Sequence, residues 1–342
     1  MAPTNTAAYY PSDKAPTLEI SSAPYPTPEP NEIIIKVAAA AINPVDKKVQ
    51  VAGTALFPFL TYPLAGGLDV AGTVAEVGSA ALTKFSIGDR VLGFPCDFTS
   101  RSGAFQSYVA VSAFVASRIP PETSYIDAAT LPSGIATAAE ALYSYLGLTE
   151  PTAPARPGNG KTIVIGGGAS VVGSNAIQLA VASGYEVITT SSPSNFAHCT
   201  SLGASSVFDY RDPDLASKLT SALTGRECAG AFCAVEGSNA AVFEAVSKSE
   251  GSKKVACAIL FTQDGIPKGI QAEMIHAYHL KDTPVAETIF GTFLPKALAS
   301  GQYKLQPKAR VVGDGLEAVQ TGLDIVGEGV SCQKLVVTLG EQ

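Results

Sequence analysis

Charge is scarce in this chain. Only 15% of its 342 residues are Asp, Glu, Lys or Arg, and 30 acidic residues outnumber 23 basic ones, giving a formal charge of −7. That balance argues against a phosphate-neutralising basic stripe, and so against nucleic-acid binding. Cysteine is equally sparse. Cys96, Cys199, Cys228, Cys233, Cys257 and Cys332 are scattered with no C-x-x-C pair, which implies neither a disulfide framework nor a zinc knuckle and fits a reducing cytosol. The opening MAPTNTAAYYPSDKAP has no basic segment leading into an apolar one, so the expectation is a cytoplasmic protein without a secretory signal. No G-x-S-x-G nucleophile elbow occurs. One run, Ile163 to Ala182, approaches the length of a membrane span, but its glycines and its Ser170, Ser174, Asn175 and Gln178 read as strand, tight turn and helix.

What is present has two textures, and the length fits two domains at about 150 residues each. The first third reads as short strands separated by Gly, Pro and Asp: EIIIKVAAAAI from Glu32, GLDVAGTVAEVG from Gly67, GDRVLGF from Gly88 and AFQSYVAV from Ala104. From about Asp127 helices and strands alternate. AATLPSGIATAAEALYSYL reads as helix divided by Pro132 and Gly134, and the strands KTIVIG, EVITTS, SVFDY, AGAFCAV and KVACAILF are separated by helical stretches. That alternation predicts an α/β domain with a parallel, doubly wound sheet. After Phe290 the chain offers two helical stretches, a linker at Pro307 and a last strand KLVVTL. This tail is too short to fold alone and is expected to return to the first domain. The expected division is 1–126, 127–290 and a return segment 291–342.

The strongest local signal is the strand KTIVI running into GGGASVVG and a helix. Glycines let backbone approach a pyrophosphate, and a helix N-terminus supplies N–H groups and the positive end of its dipole. A dinucleotide is the natural ligand, although valine replaces the third glycine of a spacing begun at Gly166. At the end of the following strand, where an Asp or Glu would bond a ribose 2′-hydroxyl, the chain reads Thr190-Ser191-Ser192-Pro193-Ser194-Asn195. A carboxylate there would repel a 2′-phosphate; hydroxyls and an amide can donate to it. NADPH is therefore expected over NADH. Glu186 begins that strand rather than ending it, and Arg211 is the nearest cation expected.

Taken together, INPVDKK, GLDVAGTVAEVG, GDRVLGF, GAFQSYVAV, LPSGIATAAEAL and GVSCQKLVV resemble the medium-chain dehydrogenase/reductase superfamily, from about residue 7 to the C-terminus. SPSNF, FDYRDP and ETIFG are most similar to its zinc-independent quinone oxidoreductase and fungal trans-acting enoyl reductase branch. The resemblance implies a GroES-like β-rich catalytic domain interrupted by a Rossmann domain, an active site in the cleft between them, and a place in fungal secondary metabolism. It further implies cofactor contacts at Val45, Asp46 and Lys48, at Ala169, Ser170, Val171 and Val172, at Ser192, Ser194, Asn195 and Tyr210, and at Val330 and Ser331. Lys48 becomes the expected donor to substrate oxygen, Thr137 the residue holding the nicotinamide carboxamide, and Asp46 the residue orienting Lys48. Asn43 and Asp46 are expected to fix a loop. Ser133, Tyr62 and Phe290 are expected at the substrate, with Tyr143 a further pocket candidate.

The departures from the family bear on the chemistry. Zinc-dependent relatives place a Cys near INPVDKK, a His and a Glu where this chain has Leu68 and Asp69, and another ligand near Pro132-Ser133. The lobe that would carry four clustered cysteines keeps only Cys96. With no thiolate or imidazole at these places, no metal is expected. His276 and His279 read as a surface or cleft-wall pair without a third ligand, and His198 as helical surface. Reduction of an activated C=C bond needs positioning and an oxyanion donor rather than a Lewis acid. The expected activity is NADPH-dependent reduction of an enone, enoyl thioester or quinone, free or carrier-bound. A carbonyl reductase and an NADPH-binding protein with vestigial catalysis stay open. So do monomer and homodimer, many relatives pairing sheet edges through the strand matching Val255 to Phe261.

Overall fold

A computed structural model of the protein describes residues 3–340. The chain forms two compact units, one from the segments up to Ser133 and from Lys308 onward, the other Gly134–Pro307. None of the helices among the described residues is long and apolar enough to cross a membrane.

The first unit is β-rich. Its larger sheet runs Ala309–Asp314, Lys334–Thr338, Glu32–Ile42, Asp69–Val77, Arg90–Gly93, Ala116–Arg118, with Tyr108–Ser112 also paired to Glu32–Ile42. A smaller sheet joins Glu19–Ala23, Asn5–Tyr10 and Leu64–Ala65. Glu32–Ile42 is the central strand because it is apolar on both faces: Ile33, Ile34 and Ile35 have no exposed surface. The C-terminal strand returns to it antiparallel, Leu335 opposite Ile42. The segment from Lys308 onward also brings a strand that the sequence pattern hid. Ala309–Asp314 pairs parallel to the last strand, with a break in register between Val311 and Gly313.

The second unit is a doubly wound α/β layer. Its parallel sheet is ordered Ser206–Asp209, Glu186–Ser191, Lys161–Gly166, Glu227–Cys233, Lys254–Cys257, Gln271–Met274. Helices cover it, and the β-branched Ile163, Val164 and Ile165 of the middle strand are wholly buried, as expected for a strand covered on both faces. The sixth strand, Gln271–Met274, went unrecognised because its residues are half-buried or exposed and carry no apolar run. Its presence corrects the expected edge. The strand at Val255 ends at Cys257 and is flanked by Glu227–Cys233 on one side and Gln271–Met274 on the other. The edge strands of this sheet are Gln271–Met274 and Ser206–Asp209.

The unit boundaries fall at 133/134 and 307/308 rather than 126/127 and 290/291. Residues before Ser133 are held in the first unit by Tyr125, whose ring lies under the Arg90 guanidinium at 4.3 Å. Residues after Phe290 stay with the second because Tyr303 Oη donates to Asn175 Oδ1 at 2.6 Å and the Lys304 N–H donates to Gln178 Oε1 at 2.7 Å. Pro132 opens the helix Pro132–Ala139 rather than dividing one, since proline is tolerated in a first helical turn. Gly134 lies inside that helix, which continues into a π-helical stretch, Glu140–Tyr145.

Candidate cofactor and catalytic sites

In the second unit the strand Lys161–Gly166 ends in a turn fixed from its neighbour: Thr190 Oγ1 accepts from Gly167 N at 3.0 Å, and Thr190 O from Gly168 N at 2.9 Å. Gly167 has φ +83°, which a side chain resists. Ser170 then caps the helix Val171–Ala182, its hydroxyl accepting from Gly173 N at 3.0 Å. A Cβ on Gly173 would lie 2.2 Å from Gly167 O, so glycine is what allows helix and turn to close together. The result is an open helix N-terminus beside a glycine turn, with Val171 and Val172 half-buried. Such a cradle fits a pyrophosphate.

The neighbouring strand ends in hydroxyl and amide groups. Ser192 Oγ lies 3.1 Å from Ser194 Oγ and accepts from Asn195 Nδ2 at 3.0 Å. Tyr210, 38% exposed, has Arg211 4.9 Å from its ring centroid, and Gly237 lies against its other carbons. This brings together the expected Ser192, Ser194, Asn195 and Tyr210 at the same ends of adjacent strands. Glu186, at the opposite end, is paired with Arg226. His198 is not simply surface: it is half-buried, with Nε2 2.8 Å from Ser174 Oγ, and burial holds its pKa below the usual value.

In the first unit, register assembles a buried polar cluster. Ala41 pairs with Asp69 on one side of Glu32–Ile42, and Ile42 pairs with Leu335 on the other. Asn43, one residue on, therefore lies between Asp69 and Lys334. Lys334 Nζ sits 2.6 Å from Asp69 Oδ2 and donates to Asn43 Oδ1, with only 3% and 0% of the two ionic side chains exposed. Asp69 also accepts from Asn43 Nδ2 at 2.7 Å and from the Ser133 amide and hydroxyl at 2.5 and 2.8 Å. Asn43 further shares a capping box with Asp46, whose Oδ2 accepts from Asn43 N at 2.7 Å. Burial, opposed by the Asn43 hydrogen bond and Lys334, raises the Asp46 carboxyl to about 7.

This cluster does not fit a zinc ion. Its donors are two carboxylates, an amide and a hydroxyl, one carboxylate is committed to an ammonium, and thiolate and imidazole are lacking. Among the described residues no group of three His, Cys, Asp or Glu side chains is arranged for a metal. His276 and His279 lie with rings 5.7 Å apart around the turn Ala277–Asp282.

Several expected residues sit differently. Lys48 is on the helix Pro44–Ala52, exposed, not on a loop. Asp46 does not orient it: the carboxylate turns inward to Asn43 N, and it is Lys47 that pairs with Asp324, at 3.0 Å. Phe290 has no exposed surface and Tyr143 is buried with its hydroxyl donating to Leu179 O, so both pack the interior of the second unit rather than line a surface open to substrate. Tyr62 is half-buried and donates to Asp13 Oδ1 at 3.3 Å. Thr137 is the half-buried position of an otherwise buried stretch of its helix. Val45 is half-buried beside Asp46, Ala169 is 8% exposed in the glycine turn, and Val330 and Ser331 lie between the last helix and strand. Lys334 and the turn-fixing role of Thr190 were not foreseen. A lysine opening the otherwise apolar KLVV was the available signal for the first.

A β-rich unit interrupted in sequence by an α/β unit with a parallel, doubly wound sheet is the architecture these residues build. Residues 29–121 match the family described as Alcohol dehydrogenase GroES-like domain. The chain is 41% identical to Dehydrogenase pigH of Monascus ruber (98% of this chain, 100% of the relative) and 38% identical to Trans-enoyl reductase himH of Aspergillus japonicus (98% and 97%). The solved CurK enoyl reductase shares the fold, with a TM-score of 0.77 at 19% identity over 98% of this chain and 99% of that one. The chain belongs to the medium-chain dehydrogenase/reductase superfamily, among fungal dehydrogenases and trans-enoyl reductases. It is an oxidoreductase, and membership implies a nicotinamide cofactor.

Proposed function

We propose that the protein reduces the C=C bond of an α,β-unsaturated carbonyl compound, an enone, enoyl thioester or quinone, with NADPH, in fungal secondary metabolism. The observation that carries the reading is the pairing of two donor sets: neutral donors at Ser192, Ser194 and Asn195 where a carboxylate would favour NADH, and a polar cluster whose carboxylate is already matched by Lys334.

When bound, the reduced nicotinamide supplies the hydride. Ala169, Ser170, Val171 and Val172 would hold its pyrophosphate at the helix N-terminus, while Ser192, Ser194 and Asn195 would donate to the 2′-phosphate and Tyr210 would pack beside the adenosine. Thr137 holds the carboxamide, and Val45, Asp46, Val330 and Ser331 complete the cofactor's surroundings. Lys48 donates to the carbonyl oxygen as negative charge develops there, a task for which an exposed ammonium is suited. Ser133 and Tyr62 contribute to the substrate surface. The test is anaerobic incubation with NADPH or NADH and a small panel of enones, enoyl thioesters and quinones. NADPH-selective formation of the saturated carbonyl supports the reading; formation of the allylic alcohol, or a preference for NADH, opposes it.

A further inference from the structure

Ser238 begins the helix Asn239–Lys248, the position at which a serine hydroxyl normally caps the first turn, yet its side chain makes no capping bond. It is 2% exposed, and its Oγ is buried without a hydrogen-bond partner. Buried hydroxyls are nearly always paired, because losing water without a replacement is unfavourable. An orphan therefore needs a reason. The hydroxyl points at the glycine turn: a Cβ on Gly166 would stand 2.7 Å from Ser238 Oγ. The whole segment folds over that turn. Ala234 N donates to Gly166 O at 3.0 Å, Val235 packs where a Gly167 side chain would be, and Gly237 lies against Tyr210. Beside it, Asn239 Oδ1 is a second buried atom without a partner.

We propose that Ser238 is a cofactor-binding residue whose hydroxyl donates to a pyrophosphate or ribose oxygen of the dinucleotide seated on the glycine turn. The proposal rests on the dinucleotide reading above and adds a second wall to that site, contributed by the segment after the strand Glu227–Cys233. It also explains why the hydroxyl is left without a capping bond in the chain alone: its partner is the ligand.

The consequence is an opposite effect of Ser238→Ala on the two states. Without cofactor the variant loses no hydrogen bond, so its melting temperature should match or exceed that of the wild type. With cofactor it loses one, so the dissociation constant for NADPH, read by titrating the fluorescence of the bound dihydronicotinamide, should rise about tenfold, and NADP+ should raise the melting temperature less than in the wild type. Two results overturn the proposal: a lower melting temperature or failure to fold without cofactor, which means the hydroxyl is already used within the protein, or NADPH affinity equal to wild type. A wild-type protein that binds neither NADPH nor NADH instead defeats the dinucleotide reading itself, and Ser238 with it.

Discussion

Replacing Lys334 by methionine keeps the shape of the side chain and removes its charge. The ammonium now lies 2.6 Å from Asp69 Oδ2 and also serves Asn43 Oδ1, with both ionic groups almost wholly out of water. Removing one member of a buried pair leaves the other charge uncompensated, at a cost of about 3–5 kcal/mol. Asp69 would keep three donors, Asn43 Nδ2 and the amide and hydroxyl of Ser133, which places the expected loss near the lower figure, about 3 kcal/mol. At about 2–4 °C per kcal/mol for a unit of this size, the first unit should melt roughly 6–12 °C lower. Urea unfolding followed by circular dichroism measures the loss. Adding Asp69→Asn should recover most of it, since no buried charge then remains on either partner. A single variant within about 0.5 kcal/mol of wild type, a change typical of exposed positions, would refute the argument that the pair is desolvated and mutually dependent.

Other consequences follow from named groups. Asp46 has its carboxyl raised to about 7, chiefly by burial, so the folded protein holds a proton that the unfolded chain releases near its ordinary value of 3.8. Stability from this group is therefore present below about pH 4 and lost as pH climbs towards 7; Asp46→Asn should flatten the stability profile over that window, and an unchanged profile would contradict the burial argument. Lys48→Ala should cut turnover at least tenfold while unfolding stays within about 0.5 kcal/mol of wild type, because the side chain is exposed on its helix. Ser192→Glu places a carboxylate where the 2′-phosphate is proposed to lie; the KM for NADPH should rise tenfold or more with that for NADH little changed, and an equal rise in both would count against the assignment.

Much of this architecture could be read from residue patterns, and the exceptions have physical causes. Glu32–Ile42 and Lys161–Gly166 were legible because strands buried on both faces are continuous β-branched and small apolar runs. Gln271–Met274 was not, because an exposed edge strand needs no apolar face. The glycine turn and the Ser192–Asn195 segment were visible because their chemistry is local in sequence. The Lys334–Asp69–Asn43–Ser133 cluster was not, because its members come from four distant segments that only sheet register brings together. Asn43 and Asp46 could be singled out because their capping box is local, but not the Lys334 bond to Asn43, which joins residues nearly three hundred apart. Phe290 illustrates the converse, an aromatic residue whose burial sequence alone could not distinguish from a pocket wall.

The central claim is the destination of the hydride, and isotopic labelling reads it directly. NADPH carrying deuterium at the transferred C4 position, incubated with the protein and a simple enone under argon, should yield a saturated ketone with the label on the carbon β to the carbonyl. Deuterium on a carbinol carbon, in an allylic alcohol, would contradict the account.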